Sequence, residues 1–304
     1  MNAAAPILAG PIGPLYFRFR GGSWELSRSV RLVGILNVTP DSFYDGGRYG
    51  SPDRALERAE RMVEEGADAI DVGGQSTRPG ARSLGPDEEW RRVEPVLSAL
   101  SGRVGVPLSI DTYHGEVARR ALDLGAAMVN DVSGLCHDPT IADHAARAGA
   151  GLVLMHALGV PDRIHETRPY EDVGAAVAEF LAGQLRLAAA RGVSEEHVAL
   201  DPGVGFSKQA EQSVAALRAI PRLTRMGRPL YIGVSRKSFL NVLTGQPAEG
   251  RLAGSLGAVV ASWYLGGRIF RVHDVRETRD ALRAAGSILD PASSAPAEPV
   301  ESRR

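Results

Sequence analysis

Among 304 residues there is a single cysteine, Cys136. That excludes a disulfide framework and any zinc site built from thiolates. The seven histidines never fall in an H-E-x-x-H spacing, which removes the helical metalloprotease pattern. No segment is rich in Lys and Arg interleaved with aromatics, and the formal net charge is -1, so nothing points to nucleic acid as a partner. Long hydrophobic runs are missing too. The most apolar stretch, Leu252–Gly267, is diluted by four Gly and two Ser and bounded by Arg251 and Arg268, too short and too broken for a membrane span. Met1-Asn2-Ala3 opens without a basic region, and Pro6, Pro11 and Pro14 interrupt the apolar residues that follow, unlike a signal peptide. The expectation is a cytoplasmic globular protein with neither a nucleic-acid nor a membrane partner.

What the sequence does contain is a series of eight short apolar runs, most of them ending in a polar side chain. They are Leu32–Asn37, Ala67–Asp71, Val106–Asp111, Ala126–Asp131, Gly151–His156, Val198–Asp201, Leu230–Ser235 and Ile269–His273. Each has the length of a strand buried on both faces, and amphipathic helical patterns fill most of the gaps. Pro52, Pro86 and Pro139 sit where a first helical turn accepts proline, with acids beside Pro86 where the helix dipole favours them. The pattern predicts an α/β protein, a single (β/α)8 TIM barrel over residues 31–289. Leu15–Arg20 and Trp24–Leu26 around Gly21-Gly22 predict a β-hairpin within an N-terminal extension of residues 1–30. Residues 290–304, rich in Pro, Ala, Ser and Glu, predict a disordered tail. Two connections on the active rim, Val38–Gly50 and Gly73–Gly85, are long for such a fold and predict lids.

Polarity confined to strand C-termini gathers functional groups at one barrel mouth. Asp111, Asn130 and Asp201 come from the third, fourth and sixth strands. Two carboxylates and an amide suit a flat heterocycle bearing several N–H donors, since a carboxylate accepts paired bonds and an amide both donates and accepts. Asp and Asn are also common turn formers, but three from different strands favour a binding site. Lys237 follows the seventh strand, and Arg271 and His273 alternate along the eighth, the region where barrels bind phosphate. Gly233-Val234-Ser235-Arg236-Lys237-Ser238 lacks the glycine of a Walker A loop. Acceptors on one side and cations on the other suggest a ligand with a donor-rich ring and an anionic group. Asn37 offers an oxygen to a hard cation such as Mg²⁺.

These residues sit in motifs that resemble those of the dihydropteroate synthases. The resemblance runs through Gly34–Phe43 with Asp45-Gly46-Gly47, Gly73–Gly80, Ser109–Thr112, Val129–Gly134, Met155-His156, Asp201–Phe206, Ser235–Phe239 and Arg271–Val275, in order. It implies condensation of 6-hydroxymethyl-7,8-dihydropterin diphosphate with 4-aminobenzoate to give 7,8-dihydropteroate and diphosphate. It implies that Asp111, Asn130, Met155, Asp201 and Lys237 bind the pterin, with Asp111, Asp201 and Lys237 carrying the catalysis. Asn37, Arg271 and His273 would take the diphosphate, Asn37 by helping to hold Mg²⁺. Phe43, Thr77, Arg78, Pro79, Phe206 and Ser235 would border the aminobenzoate subsite. A homodimer is also implied. One departure is visible: Gln75 stands where the family usually has Glu, in the loop Gly73–Gly80. A corrinoid-dependent methyltransferase barrel would share an acidic pterin pocket but would not need the cationic diphosphate side.

Overall fold

A computed structural model describes residues 14–38, 52–75, 82–158, 164 and 166–289. The expected tail and residues 1–13 lie outside them, as does most of both long rim loops. Strands β1 (Tyr16–Phe19) and β2 (Gly22–Glu25) pair as the expected antiparallel hairpin. Eight further strands form one sheet: β3 Arg31–Asn37, β4 Ala69–Gly73, β5 Leu108–Asp111, β6 Met128–Asp131, β7 Gly151–Met155, β8 Val198–Asp201, β9 Tyr231–Ile232 and β10 Ile269–Val272. Their order is β8-β7-β6-β5-β4-β3-β10-β9, every pair parallel. A parallel bridge between Leu200 and Leu230, with Leu200 N–H donating to Pro229 O at 2.9 Å, joins the two edges into a barrel.

Alternation along the strands divides the core. Leu32, Ile70, Leu108, Val129, Leu152, Leu200, Ile232 and Phe270 face outward into the main hydrophobic cluster, under helices such as Pro86–Leu100 and Val173–Ala190. Their neighbours one residue away point into the barrel. At its lower end Val33, Ala69, Met128, Val153, Ala199, Tyr231 and Ile269 make an apolar floor, plugged from below by Phe17, Phe19, Trp24 and Leu26 of the hairpin. A Cβ on Gly151 would lie 2.7 Å from the Phe17 ring, so only glycine lets the plug come this close. Above the floor the inward positions become polar, as the strand pattern anticipated.

The helix Val173–Ala190 is long and apolar enough by length and composition to cross a membrane. It carries Glu179 and Arg186, packs Val177 and Leu181 inward, and contacts β7 and the helix Ala210–Arg218. It therefore acts as one of the helices covering the barrel.

Several strands are shorter than or shifted from their apolar runs; β5 and β6 each begin two residues in, at Leu108 and Met128. β4 begins and ends two residues later than the run Ala67–Asp71, which puts Asp71 in mid-strand. β9 has only two residues, because the chain turns away at Gly233 to present the segment that carries Lys237.

Candidate active site

Strand register builds the site in tiers. Asn37 pairs with Gly73, Gly73 with Asp111, and Asp111 with Asn130, so these four lie level around one side of the mouth. Across from them Met155 pairs with Asp201. A Cβ on Gly73 would sit 3.4 Å from Asp111 Oδ2 and 3.7 Å from Asn37 Oδ1; the glycine leaves space between two oxygens.

Asp71, the polar end of the second apolar run but not among the expected site residues, occupies the tier below, fully buried. Arg271 Nε donates to Asp71 Oδ2 at 2.6 Å and Arg271 Nη2 to Asp111 Oδ2 at 2.7 Å. Asn130 Nδ2 donates to Asp71 Oδ2 at 3.1 Å, which commits the donor side of that amide. Cations and acids therefore interlock at the centre of the mouth, where the sequence had suggested two separate sides. Burial alone would lower the Arg271 pKa, but Asp71 and Asp111 outweigh it and raise it. Burial pushes Asp111 up to about 7 against the pull of Arg271. Asp201 is also raised by burial, with Lys237 opposing, and its Oδ1 accepts Gly203 N–H at 2.7 Å.

Lys237 is half-buried between strands and turn. Its Nζ donates to Val204 O and stands 4.2 Å from the centre of the Phe206 ring, a cation–π contact. Burial lowers it to about 8, with Asp201 resisting. Phe206 belongs to an apolar wall with Tyr113, Val132, Met155, Ala157 and Ile164. Ser235 accepts His273 N–H at 3.2 Å and lies 3.0 Å from His273 Nδ1. The direction of the second bond follows the imidazole tautomer, since the hydroxyl can donate to Nδ1 or accept from it. Arg236, at φ 58, turns away to a bidentate pair with Asp274.

The mouth thus unites Asn37, Asp111, Asn130, Met155, Asp201, Phe206, Ser235, Lys237, Arg271 and His273. Phe43, Thr77, Arg78 and Pro79 lie outside the described residues. Gln75, at the start of their loop, donates through Nε2 to the Tyr113 hydroxyl, and its Oε1 accepts Leu84 N–H at 3.4 Å. Ser83 Oγ meets the same hydroxyl at 2.8 Å, so one phenol ties both ends of the loop.

The model of the family described as pterin binding enzyme matches residues 33–273, nearly the whole barrel. A dihydropteroate synthase of Synechocystis is 43% identical over 279 residues, covering 91% of this chain and 94% of its own. The chain belongs to the dihydropteroate synthase family. Solved structures agree. The dihydropteroate synthase of Xanthomonas albilineans with 4-aminobenzoic acid superposes with a TM-score of 0.83 at 39% identity, covering 90% of this chain and 98% of that one. The same enzyme with 7,8-dihydropteroate gives 0.79 at 37% identity over 89% and 98%. Asp71 precedes the matched motif Gly73–Gly80, so the resemblance does not reach it.

The donor set also bears on Mg²⁺. Among the described residues no group of three or more His, Cys, Asp or Glu converges on a metal position. Asn37 Oδ1, beside Gly73 and Asp111, suits a hard cation that takes its remaining ligands from substrate phosphates and water.

Proposed function

We propose that this dihydropteroate synthase works by orientation and charge stabilisation at the barrel mouth. It joins the pterinylmethyl group of 6-hydroxymethyl-7,8-dihydropterin diphosphate to 4-aminobenzoate. Asp201 and Asn130 hold the donor-rich edge of the pterin, and Met155 with the apolar wall keeps water from it. Arg271, oriented by Asp71, has N–H groups left over for the diphosphate, and His273 offers its imidazole to it. Asn37 would hold Mg²⁺, which when bound neutralises charge on the diphosphate. The C–O bond to the diphosphate breaks and its electron pair leaves with that group. The cation left on the pterin methylene is spread over the ring and steadied by Asp111, with Lys237 fixing the ring from the other side. The 4-aminobenzoate nitrogen then forms the C–N bond and loses a proton, along an SN1-like path. Phe206 and Ser235, with Phe43, Thr77, Arg78 and Pro79 of the loops, border this second substrate. Positioning of this kind accounts for most of the acceleration expected without a strong base.

The observation that carries the reading is the pairing of Asp111 with Asn130 in one tier, opposite Asp201, with Lys237 and Arg271 closing the same mouth. Diphosphate release with both substrates and Mg²⁺ tests it. Wild type should turn over, whereas Asp111→Asn and Lys237→Ala should each lose roughly a hundredfold or more, the usual effect of removing one group aimed at developing charge. Full activity in both variants would sink it.

A second copy of the chain is the partner we assign to the helix Leu252–Leu265. That helix packs on Phe239–Thr244, whose Val242 and Leu243 are 64% and 57% exposed. The lone cysteine accords with a reducing, cytoplasmic setting, which cell fractionation checks.

A further inference from the structure

A second ammonium group, Lys208, lies behind the site, only 6% exposed, and no step above uses it. Its Nζ donates to Gly203 O and to Phe206 O, both at 3.1 Å, and lies 2.7 Å from His156 Nδ1. The two carbonyls take two N–H groups, and the third contact is donated by an ammonium or accepted by a neutral amine from Nδ1–H. In the ammonium form, which the Asp201 carboxylate favours, His156 accepts at Nδ1 and carries its own proton at Nε2. Burial, with Lys208 beside it, holds His156 down to about 3, in keeping with a neutral ring. Burial lowers Lys208 to about 7, and the Asp201 carboxylate works against that.

The acceptors are placed to control one turn. Gly203 and Phe206 bracket the turn after β8, and His156 ends the neighbouring β7 run. Gly203 sits at φ +68, and a Cβ there would come within 1.8 Å of His156 O, so the two segments touch backbone to backbone. Ser207 continues the join: its N–H donates to Ile164 O at 2.7 Å and its Oγ accepts Leu158 N–H at 2.9 Å. On its other side the same turn offers Val204 O and the Phe206 ring to Lys237.

We propose that Lys208 is a positioning residue for the second substrate: its buried ammonium fixes the turn 203–206, so that Phe206 and Val204 hold Lys237 and shape the aminobenzoate side of the mouth. This rests on the dihydropteroate synthase reading. Without the ammonium, Phe206 O and an imidazole nitrogen lose their donor in a dry place, and Gly203 O is left with the Phe206 N–H alone. The turn then relaxes toward water, while Asp111, Asn130 and Asp201 stay fixed by strand pairing.

Steady-state kinetics of Lys208→Met tests it. The KM for 4-aminobenzoate should rise about tenfold, the scale of one unsatisfied buried group, with smaller changes in kcat and in the KM for the pterin diphosphate, because Lys237 rests on the same turn. Lys208→Cys in a Cys136→Ser background, S-aminoethylated while unfolded and then refolded, restores an ammonium on a stem of the same length. It should bring the 4-aminobenzoate KM back to within about threefold of wild type. Should Lys208→Met not fold, His156→Leu removes one acceptor alone and should raise the same KM about threefold. An unchanged 4-aminobenzoate KM beside normal wild-type turnover overturns the inference and leaves the reaction standing. So does a uniform fall in every parameter that aminoethylation does not rescue. No wild-type turnover would take both down together.

Discussion

Replacing Glu89 by Gln should make the protein more stable as the solution becomes alkaline. Glu89 lies in the first turn of Pro86–Leu100, 1% exposed, with neither oxygen in a well-formed hydrogen bond among the described residues. His114 Nε2 is 3.8 Å away and donates instead to Leu84 O at 2.9 Å. Burial raises the carboxyl from 4.5 to about 8, helped by the Asp111 charge, and Thr112 and Arg92 pull the other way without prevailing. The folded protein therefore keeps a proton between those values that the unfolded chain releases. That contribution is complete below pH 4.5, declines by about 1.4 kcal/mol per pH unit above it, and is gone past about pH 8. At pH 7 the loss is about 3 kcal/mol, and glutamine, which cannot ionise, does not suffer it. Urea unfolding of both proteins at pH 5 and pH 8 is the assay. Other titrating groups are common to the pair and cancel in the difference. The variant should gain on wild type by several kcal/mol across that interval, about 5 °C in Tm at pH 7. A difference that stays constant from pH 5 to pH 8 would refute the reasoning.

Three further outcomes follow from the packing. Asp71→Asn leaves Arg271 short of one buried charge and should cost about 3–5 kcal/mol in urea unfolding, the scale for breaking a buried pair. Phe17→Ala removes the fully buried plug beneath Gly151 and should cost about 3–5 kcal/mol with diphosphate release kept in the folded fraction. Val242→Glu with Leu243→Glu should convert a dimer to a monomer in light scattering; an unaltered mass would remove that face as the interface.

Much of the mouth was legible in the sequence because period-2 alternation and strand ends carry strong signals. Asp111, Asn130, Asp201 and Arg271 end or occupy strands that the apolar runs marked, and the structure sets them around one opening. Asp71 ends the second apolar run, yet an acid at a strand end reads equally well as a turn former, and the strand in fact runs on to Gly73. A mid-strand acid pointing inward has no local signature; its partner Arg271 is 200 positions away in sequence. Lys208 is harder still, for its acceptors are two carbonyls of its own turn and a histidine 52 residues earlier, none visible in side-chain pattern. The separation of acids from cations also failed, since the tier positions of Arg271, Asp71 and Asp111 place opposite charges in contact.

The tiered mounting of Asp111, Asn130 and Asp201 has an evolutionary consequence. Each stands on a strand whose preceding residue, outward-facing, is cemented into the main core: Ile110, Val129 and Leu200 are all fully buried. A lineage under pressure from an inhibitor on this face cannot slide or tilt these groups without disturbing the strand and the helices over it. The loop after Gln75 is tied at Gln75 and Ser83 to the Tyr113 hydroxyl rather than by strand pairing, so a change at those ties disturbs no strand. Inhibitors that engage the strand-mounted groups should accordingly provoke slower escape than those that lean on that loop, and passaging a host under each kind would show it.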